Sequence, residues 1–196
     1  MAVEFYTLEG LIERMNPRNV LILPGWQGSG PDHWQSRWER LHGYTRVEQH
    51  DWMRPLRGDW IARLEDVLLS CDEPAVLVAH SLGCHHVAAW AAHSRNKHRV
   101  KAALLVAPPD VEREDVRALL PSWSPMVLDK LPFGASMLAS SDDPFCSLGR
   151  ARQFAAIWGA ELVETGPRGH LNAESGLGDW SEAHEQLHQL MRDTSA

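Results

Sequence analysis

Three residues of the right types for covalent catalysis follow one another at long intervals along the chain: a serine, an acid and a histidine. Ser81 stands in Ala79-His80-Ser81-Leu82-Gly83, directly after the apolar run Ala75-Val-Leu-Val. A serine hydroxyl is a weak nucleophile until a base takes its proton as it attacks. His170, in Gly169-His170-Leu171-Asn172, has an ordinary pKa near neutrality, so it can take that proton and later return it to a leaving group. An acid must then hold the imidazole in the correct tautomer and stabilise the imidazolium. Two candidates stand in Ser140-Ser-Asp142-Asp143-Pro144-Phe-Cys. Asp143 is favoured, because a following proline biases its backbone to an extended conformation that can project the carboxylate over a sheet edge. Asp142 is then left to cap a turn or helix, and Asp110 is a distant third.

The surroundings of Ser81 match the nucleophile elbow G-x-S-x-G, in which a strand turns sharply into a helix and lifts the serine above the sheet. Small residues are needed two positions away on either side, and here they are Ala79 and Gly83. Alanine replaces the first glycine of the pattern, which the sterics tolerate. The turn also sets the Leu82 N–H at a helix N-terminus, where unpaired donors and the positive end of the dipole favour an oxyanion. The competing role for Ser81 is simply to cap that helix. A second oxyanion donor is sought in the loop Pro24-Gly-Trp-Gln-Gly-Ser-Gly-Pro-Asp, and Trp26 is the candidate. Trp26 and its neighbour Gln27 are also the candidate substrate-binding residues. The same glycines do not fit a phosphate cradle: the spacing differs from G-x-G-x-x-G and the loop carries no basic residue.

These residues need a scaffold that brings them to one edge. Buried strands are predicted at 20–23, 75–79, 100–106 and 136–139, with weaker ones at 45–48 and 161–164. Helical spacing covers 32–41, 60–69, 82–92, 148–158 and 182–191. Strand and helix alternate, which implies an α/β fold with a mostly parallel sheet covered on both faces, in three layers. Ligands then bind at the carboxyl ends of the strands, where all the candidate residues fall. The proline-rich stretch 108–133, with a short helical segment at 111–120, reads either as a reduced lid or as an ordinary surface excursion.

Composition narrows the partners. At 196 residues and 44% hydrophobic content the chain suits one domain, and a net charge of −7 argues against nucleic acid or an anionic membrane. Three scattered cysteines make neither a disulfide framework nor a metal motif. A cluster of His80, Cys84, His85 and His86 is conceivable by count, but the turn at Ser81 breaks its spacing. Neither a metal nor a cofactor is expected, and the acidic N-terminus has no secretory pattern, so the expected location is the cytoplasm. Nine tryptophans fit core packing best, with a substrate-facing aromatic wall as the sharper alternative.

The blocks Pro24-Gly-Trp-Gln-Gly-Ser, Ala79-His-Ser-Leu-Gly, Asp-Asp-Pro-Phe-Cys and Gly169-His-Leu-Asn-Ala-Glu-Ser-Gly together resemble the YdeN-like family of small serine hydrolases, which also includes the retinoblastoma-binding-protein-type hydrolases. The likeness runs from about Val20 to the C-terminus, and the last block is its most specific part. It implies a compact single-domain α/β-hydrolase without a large cap, with a triad on Ser81, Asp143 and His170. Residues 1–16 are an extension relative to that pattern. The expected activity is cleavage of a small ester, thioester or amide through an acyl-serine. Acyl transfer to another acceptor and a non-catalytic, protein-binding role are the alternatives.

Overall fold

The computed structural model describes residues 19–194, so the extension at 1–16 lies outside the described residues. Six strands form one sheet: β1 (Val20–Leu23), β2 (Thr45–Arg46), β3 (Ala75–His80), β4 (Val100–Val106), β5 (Gly134–Ala139) and β6 (Glu161–Glu164). Their spatial order is β2-β1-β3-β4-β5-β6, and every pairing is parallel. The central strands carry runs such as AVLVAH and VKAALLV, which suit a strand buried on both faces. The edges are blunter. β2 is only two residues long, shorter than the stretch 45–48 expected from the sequence, and β6 carries a glutamate at each end.

Among the described residues six α-helices are present, five between successive strands and one after β6: α1 (Trp34–His42), α2 (Arg57–Ser70), α3 (Leu82–His93), α4 (Glu114–Leu119), α5 (Leu148–Trp158) and α6 (Ser181–Asp193). Strand alternation sorts the core into two layers. Leu21, Leu77, Ala79, Leu105 and Met137 pack with α2, α3 and α5 on one face. Val20, Ile22, Val78, Leu104 and Leu138 pack with Trp34 and Trp38 of α1 and Ala183 and Leu187 of α6 on the other. Parallel strands with helices on both faces follow from right-handed crossovers, and the α/β architecture expected from the sequence is the one observed. Helix α1 begins two residues later than its spacing suggests, because His33 is its N-cap. α4 is confined to 114–119, as residues 110–113 form turns. Among the described residues, no helix is long and apolar enough to cross a membrane.

The tryptophans are mostly core. Trp34, Trp38, Trp60, Trp90, Trp123 and Trp158 are fully buried, and none of the nine is exposed. Two histidines of α3 share that interior. The His85 ring donates through Nε2–H to the Pro109 carbonyl oxygen at 2.7 Å, and His86 donates to the Trp60 carbonyl oxygen at 2.6 Å. Burial lowers the pKa of both rings to about 4, because desolvation penalises the charged form.

These rings bind protons near pH 6.5 when the chain unfolds, so between that pH and about pH 4 the folded state holds fewer protons than the unfolded one. Stability is complete above the window and is lost as pH falls through it, by up to about 1.4 kcal/mol per pH unit for each ring. The urea midpoint should therefore drop steeply between about pH 6.5 and pH 4.5, and drop less in His86→Gln, which retains a donor toward Trp60. A midpoint in the native chain that stays level across this interval would contradict the assignment of neutral buried rings.

Candidate active site

β3 ends at His80 and α3 starts at Leu82, which leaves Ser81 alone to make the turn. It does so at φ 55° and ψ −124°, a conformation that costs a non-glycine residue of order 1–3 kcal/mol unless its surroundings enforce it. The Ser81 N–H donates to the Val106 carbonyl oxygen at 2.8 Å, which ties the turn to β4. Close contacts with the loop after β1 complete the enforcement. A methyl group on Gly83 would lie 2.2 Å from the Leu23 carbonyl oxygen, and one on Gly25 would lie 2.8 Å from Ser81 Cβ. Glycine is thus dictated at both positions by space. Ser81 makes no capping hydrogen bond to α3, so its hydroxyl is directed elsewhere.

The hydroxyl oxygen lies 2.9 Å from His170 Nε2. On the other side of that ring, Nδ1 lies 2.9 and 3.0 Å from the two carboxylate oxygens of Asp143. The Asp143 side chain is only 3% exposed and that of His170 9%. The three residues singled out from the sequence are therefore brought together in one line over the carboxyl ends of β3, β5 and β6. Asp142 plays a different part: its Oδ1 accepts from the Ser140 hydroxyl at 2.7 Å and from the Gly169 N–H at 2.8 Å. These bonds, the Ser140 one foremost, hold its carboxyl below the usual carboxylate range and fasten the loop before His170. Asp110 pairs with Arg150 at 3.3 Å and makes no hydrogen bond to His170.

The loop after β1 presses its Gly25 against Leu82 N, the first amide of α3. Gly25, which immediately precedes Trp26, thus lies beside both Ser81 and the first amide of α3, at a helix N-terminus whose first N–H groups lack intrahelical acceptors. Gln27 spends its own N–H on the Trp52 carbonyl oxygen at 3.0 Å, so that donor is not available to a ligand. The Trp26 indole donates to the Met53 carbonyl oxygen at 3.0 Å and is half-buried.

Several supporting residues escaped the sequence reading. His80, considered from the sequence as part of a His/Cys cluster, donates through Nε2–H to the His170 backbone oxygen at 2.9 Å, and its ring lies tilted by 58° beside the His170 ring with centroids 5.0 Å apart. His33 packs against His80 with ring centroids 4.7 Å apart, and Phe145 stands edge-on to His170 at 4.6 Å. Gln35 donates from one buried amide to the Leu23 and Val78 carbonyl oxygens, joining the ends of β1 and β3. Nothing local in the sequence marks these roles, since each depends on segments far apart in the chain. Among the described residues no group of three or more His, Cys, Asp or Glu is placed to hold a metal. Burial also pushes the Cys146 thiol up to about 12 and the Cys84 thiol upward, so neither offers a thiolate.

A cavity of about 440 Å³ opens over Ser81 and His170. Trp26, Gln27 and His33 form one side, and Pro109, Val116, Leu119, Leu120 and Phe145 another, while Asn172 and Glu174 complete it. The stretch 108–133 thus contributes one apolar wall of the cavity through α4 and its flanks. Core packing, the reading favoured for the tryptophans, accounts for most of them; among the described residues Trp26 is the one tryptophan that lines the cavity.

The chain matches the serine hydrolase family over residues 20–189, and it belongs to that family. Its fold is similar to that of a protein described as a YdeN-like hydrolase from Pectobacterium atrosepticum, at 26% identity over 94% of this chain and 95% of the other, with a TM-score of 0.81. The ydeN gene product of Bacillus subtilis superimposes with a TM-score of 0.71 at 19% identity, over 89% of this chain and 99% of that one. The carboxylesterase CesB of Bacillus subtilis shares the fold at 15% identity and a TM-score of 0.62, over 90% and 84% of the two chains. No curated protein matches the chain. The chain is thus an enzyme of the serine hydrolase family on the α/β-hydrolase fold, similar in structure to these YdeN-type proteins.

The contact at Gly83 is the most sensitive steric point of the elbow. Gly83→Ala should lower the melting temperature by about 2–12 °C, as overpacking against backbone costs roughly 1–3 kcal/mol and each kcal/mol is worth about 2–4 °C at this size. An unaltered melting temperature would sink the steric account.

Proposed function

We propose that this enzyme hydrolyses small esters, with thioesters and amides as chemically related substrates, through an acyl-serine formed on Ser81. The single observation that supports this best is the unbroken line from Asp143 through His170 to Ser81, with contacts of 2.9 to 3.0 Å on both sides of the imidazole. In the resting enzyme the Ser81 hydroxyl donates to Nε2, and Nδ1–H donates to Asp143. Ser81 Oγ attacks the carbonyl carbon while Nε2 takes its proton. The negative oxygen that forms is held by the Trp26 and Leu82 N–H groups, and loss of one such donor generally lowers turnover by about 10²–10³. Collapse of the intermediate breaks the bond to the leaving group, which receives the proton from Nε2. Water then repeats the sequence on the acyl-serine, giving the acid and free Ser81.

Ester substrates are favoured by the cavity, whose volume of about 440 Å³ and apolar α4 wall suit a small acyl group. The name carboxylesterase carried by one protein of the same fold agrees with this choice. For the alternative of a non-catalytic, protein-binding role, the tryptophans offer no exposed surface, since none of the nine is exposed.

A fluorophosphonate probe should add its mass to the folded protein and not to Ser81→Ala; a folded native chain that remained unlabelled would end the proposal. On p-nitrophenyl esters, Asp143→Asn should lower kcat by about 10⁴ through the wrong tautomer of His170. Asp142→Asn, which disturbs only the loop bonds to Ser140 and Gly169, should have a far smaller effect. The reverse ranking would reassign the acid. Ser81→Ala and His170→Ala should each cost about as much as the double variant, and additive losses would contradict their working as a unit.

A further inference from the structure

The N-cap of α1 is unusual. Ser, Thr, Asp and Asn are the common choices, because a short oxygen-bearing side chain suffices to accept from the second or third helical amide. Here His33 does the task with Nδ1, which accepts from the Gln35 N–H at 3.2 Å. A nitrogen that accepts cannot carry a proton, so the ring is neutral and its one N–H is at Nε2. Burial, with Arg46 nearby, keeps the ring neutral by lowering its pKa to about 3. The positive end of α1 acts in the same direction.

The Nε2–H has no partner. His33 is 4% exposed, and Nε2 is a buried polar atom without a hydrogen bond among the described residues. Such a group costs about 1–3 kcal/mol, and native proteins seldom leave one without a purpose. The residue is also part of the wall of the cavity over Ser81. Its nearest aromatic neighbours do not satisfy it: the His33 and His80 rings meet edge to face without a hydrogen bond to Nε2, and the Trp34 indole has only a donor, which goes to the Leu171 carbonyl oxygen. A serine or asparagine would cap α1 as well, so the imidazole's extra reach is left unexplained by the helix alone.

Building on the proposed ester hydrolysis, we infer that His33 is a specificity-determining residue whose Nε2–H donates to an uncharged oxygen acceptor of the substrate, an ether, hydroxyl or carbonyl oxygen beyond the scissile ester. The cavity therefore selects small oxygenated esters over plain alkyl ones. An uncharged acceptor is specified because no Lys or Arg lines the cavity, where the one acidic side chain besides is the exposed Glu174. A carboxylate in that place would meet a neutral donor and a like charge.

The test uses pairs of esters that differ by one ether oxygen in place of one methylene. On the acyl side these are p-nitrophenyl methoxyacetate and p-nitrophenyl butyrate; on the alcohol side, 2-methoxyethyl acetate and butyl acetate. The variant is His33→Asn, which keeps a preferred N-cap for α1 but is too short to present the donor. His33→Ser serves the same end should the first fail to fold. Intrinsic reactivity cancels when the kcat/KM ratio within each pair is compared between native and variant enzymes. One pair should show its ratio in favour of the ether falling about fivefold to tenfold in the variant, the loss of one hydrogen bond to a buried donor, and that pair identifies the side on which the acceptor sits. A purely structural role would lower both members of each pair alike. Ratios that stay constant in both pairs, with Ser81 still labelled by the fluorophosphonate, overturn the inference and leave the hydrolase proposal standing. A native enzyme that is neither labelled nor active on any of the four esters overturns both.

Discussion

The tightest constraint in this molecule is the meeting of two backbone turns, where α3 departs from β3 and where the loop leaves β1. Gly83 lies so close to the Leu23 carbonyl oxygen, and Gly25 so close to Ser81, that neither position has room for a side chain. Their contact holds Ser81 at a positive φ that it would not keep alone, and it sets the Leu82 amide beside the loop that carries Trp26. Strand order makes this contact possible. β1 and β3 are neighbours in the sheet although a helix pair and β2 separate them in sequence, and such a crossing point is where α/β sheets open a crevice for ligands.

Strain is concentrated around the same crevice. Five non-glycine residues among those described have positive φ, and four of them, Gln27, Ser81, Ala107 and Leu171, lie just beyond strand ends or beside His170. The packing that sustains them is dense on both faces of the sheet. It is reinforced by polar groups that are fully engaged, such as Gln35 between β1 and β3 and Asp142 under the His170 loop. His33 is the exception in that neighbourhood, a buried donor left open in an otherwise satisfied wall. Rigid support on one side and an open donor on the other suit a site that holds its reacting groups fixed while selecting among ligands.

Much of the scaffold was legible because the signals were local. Runs such as Val20–Leu23 and Val100–Val106 are apolar from end to end, as strands covered on both faces must be, and they lie where expected. Ser81, Asp143 and His170 stood out since each follows a strand at a turn, so one topological inference placed all three on the same rim. The boundaries that shifted did so for tertiary reasons. β2 is cut short at the sheet edge, and α1 starts late because a histidine, not a usual cap, precedes it. His80, His33 and Phe145 were not legible in their present roles, as their partners lie far away in sequence and their residue types fit many buried positions equally well. The tryptophans belong with the legible features: core packing was the reading that fitted their number best, and the interior absorbs nearly all of them.

The central claim is that the elbow presents one nucleophile to one imidazole and two backbone amides at once. A crystal structure of the protein after reaction with a small alkyl fluorophosphonate tests it most directly. The expected result is phosphorus bonded to Ser81 Oγ, with one phosphonyl oxygen within hydrogen-bond distance of both the Trp26 and Leu82 N–H groups and His170 still paired with Asp143. An adduct on another residue, or a phosphonyl oxygen turned away from those two amides, would contradict it.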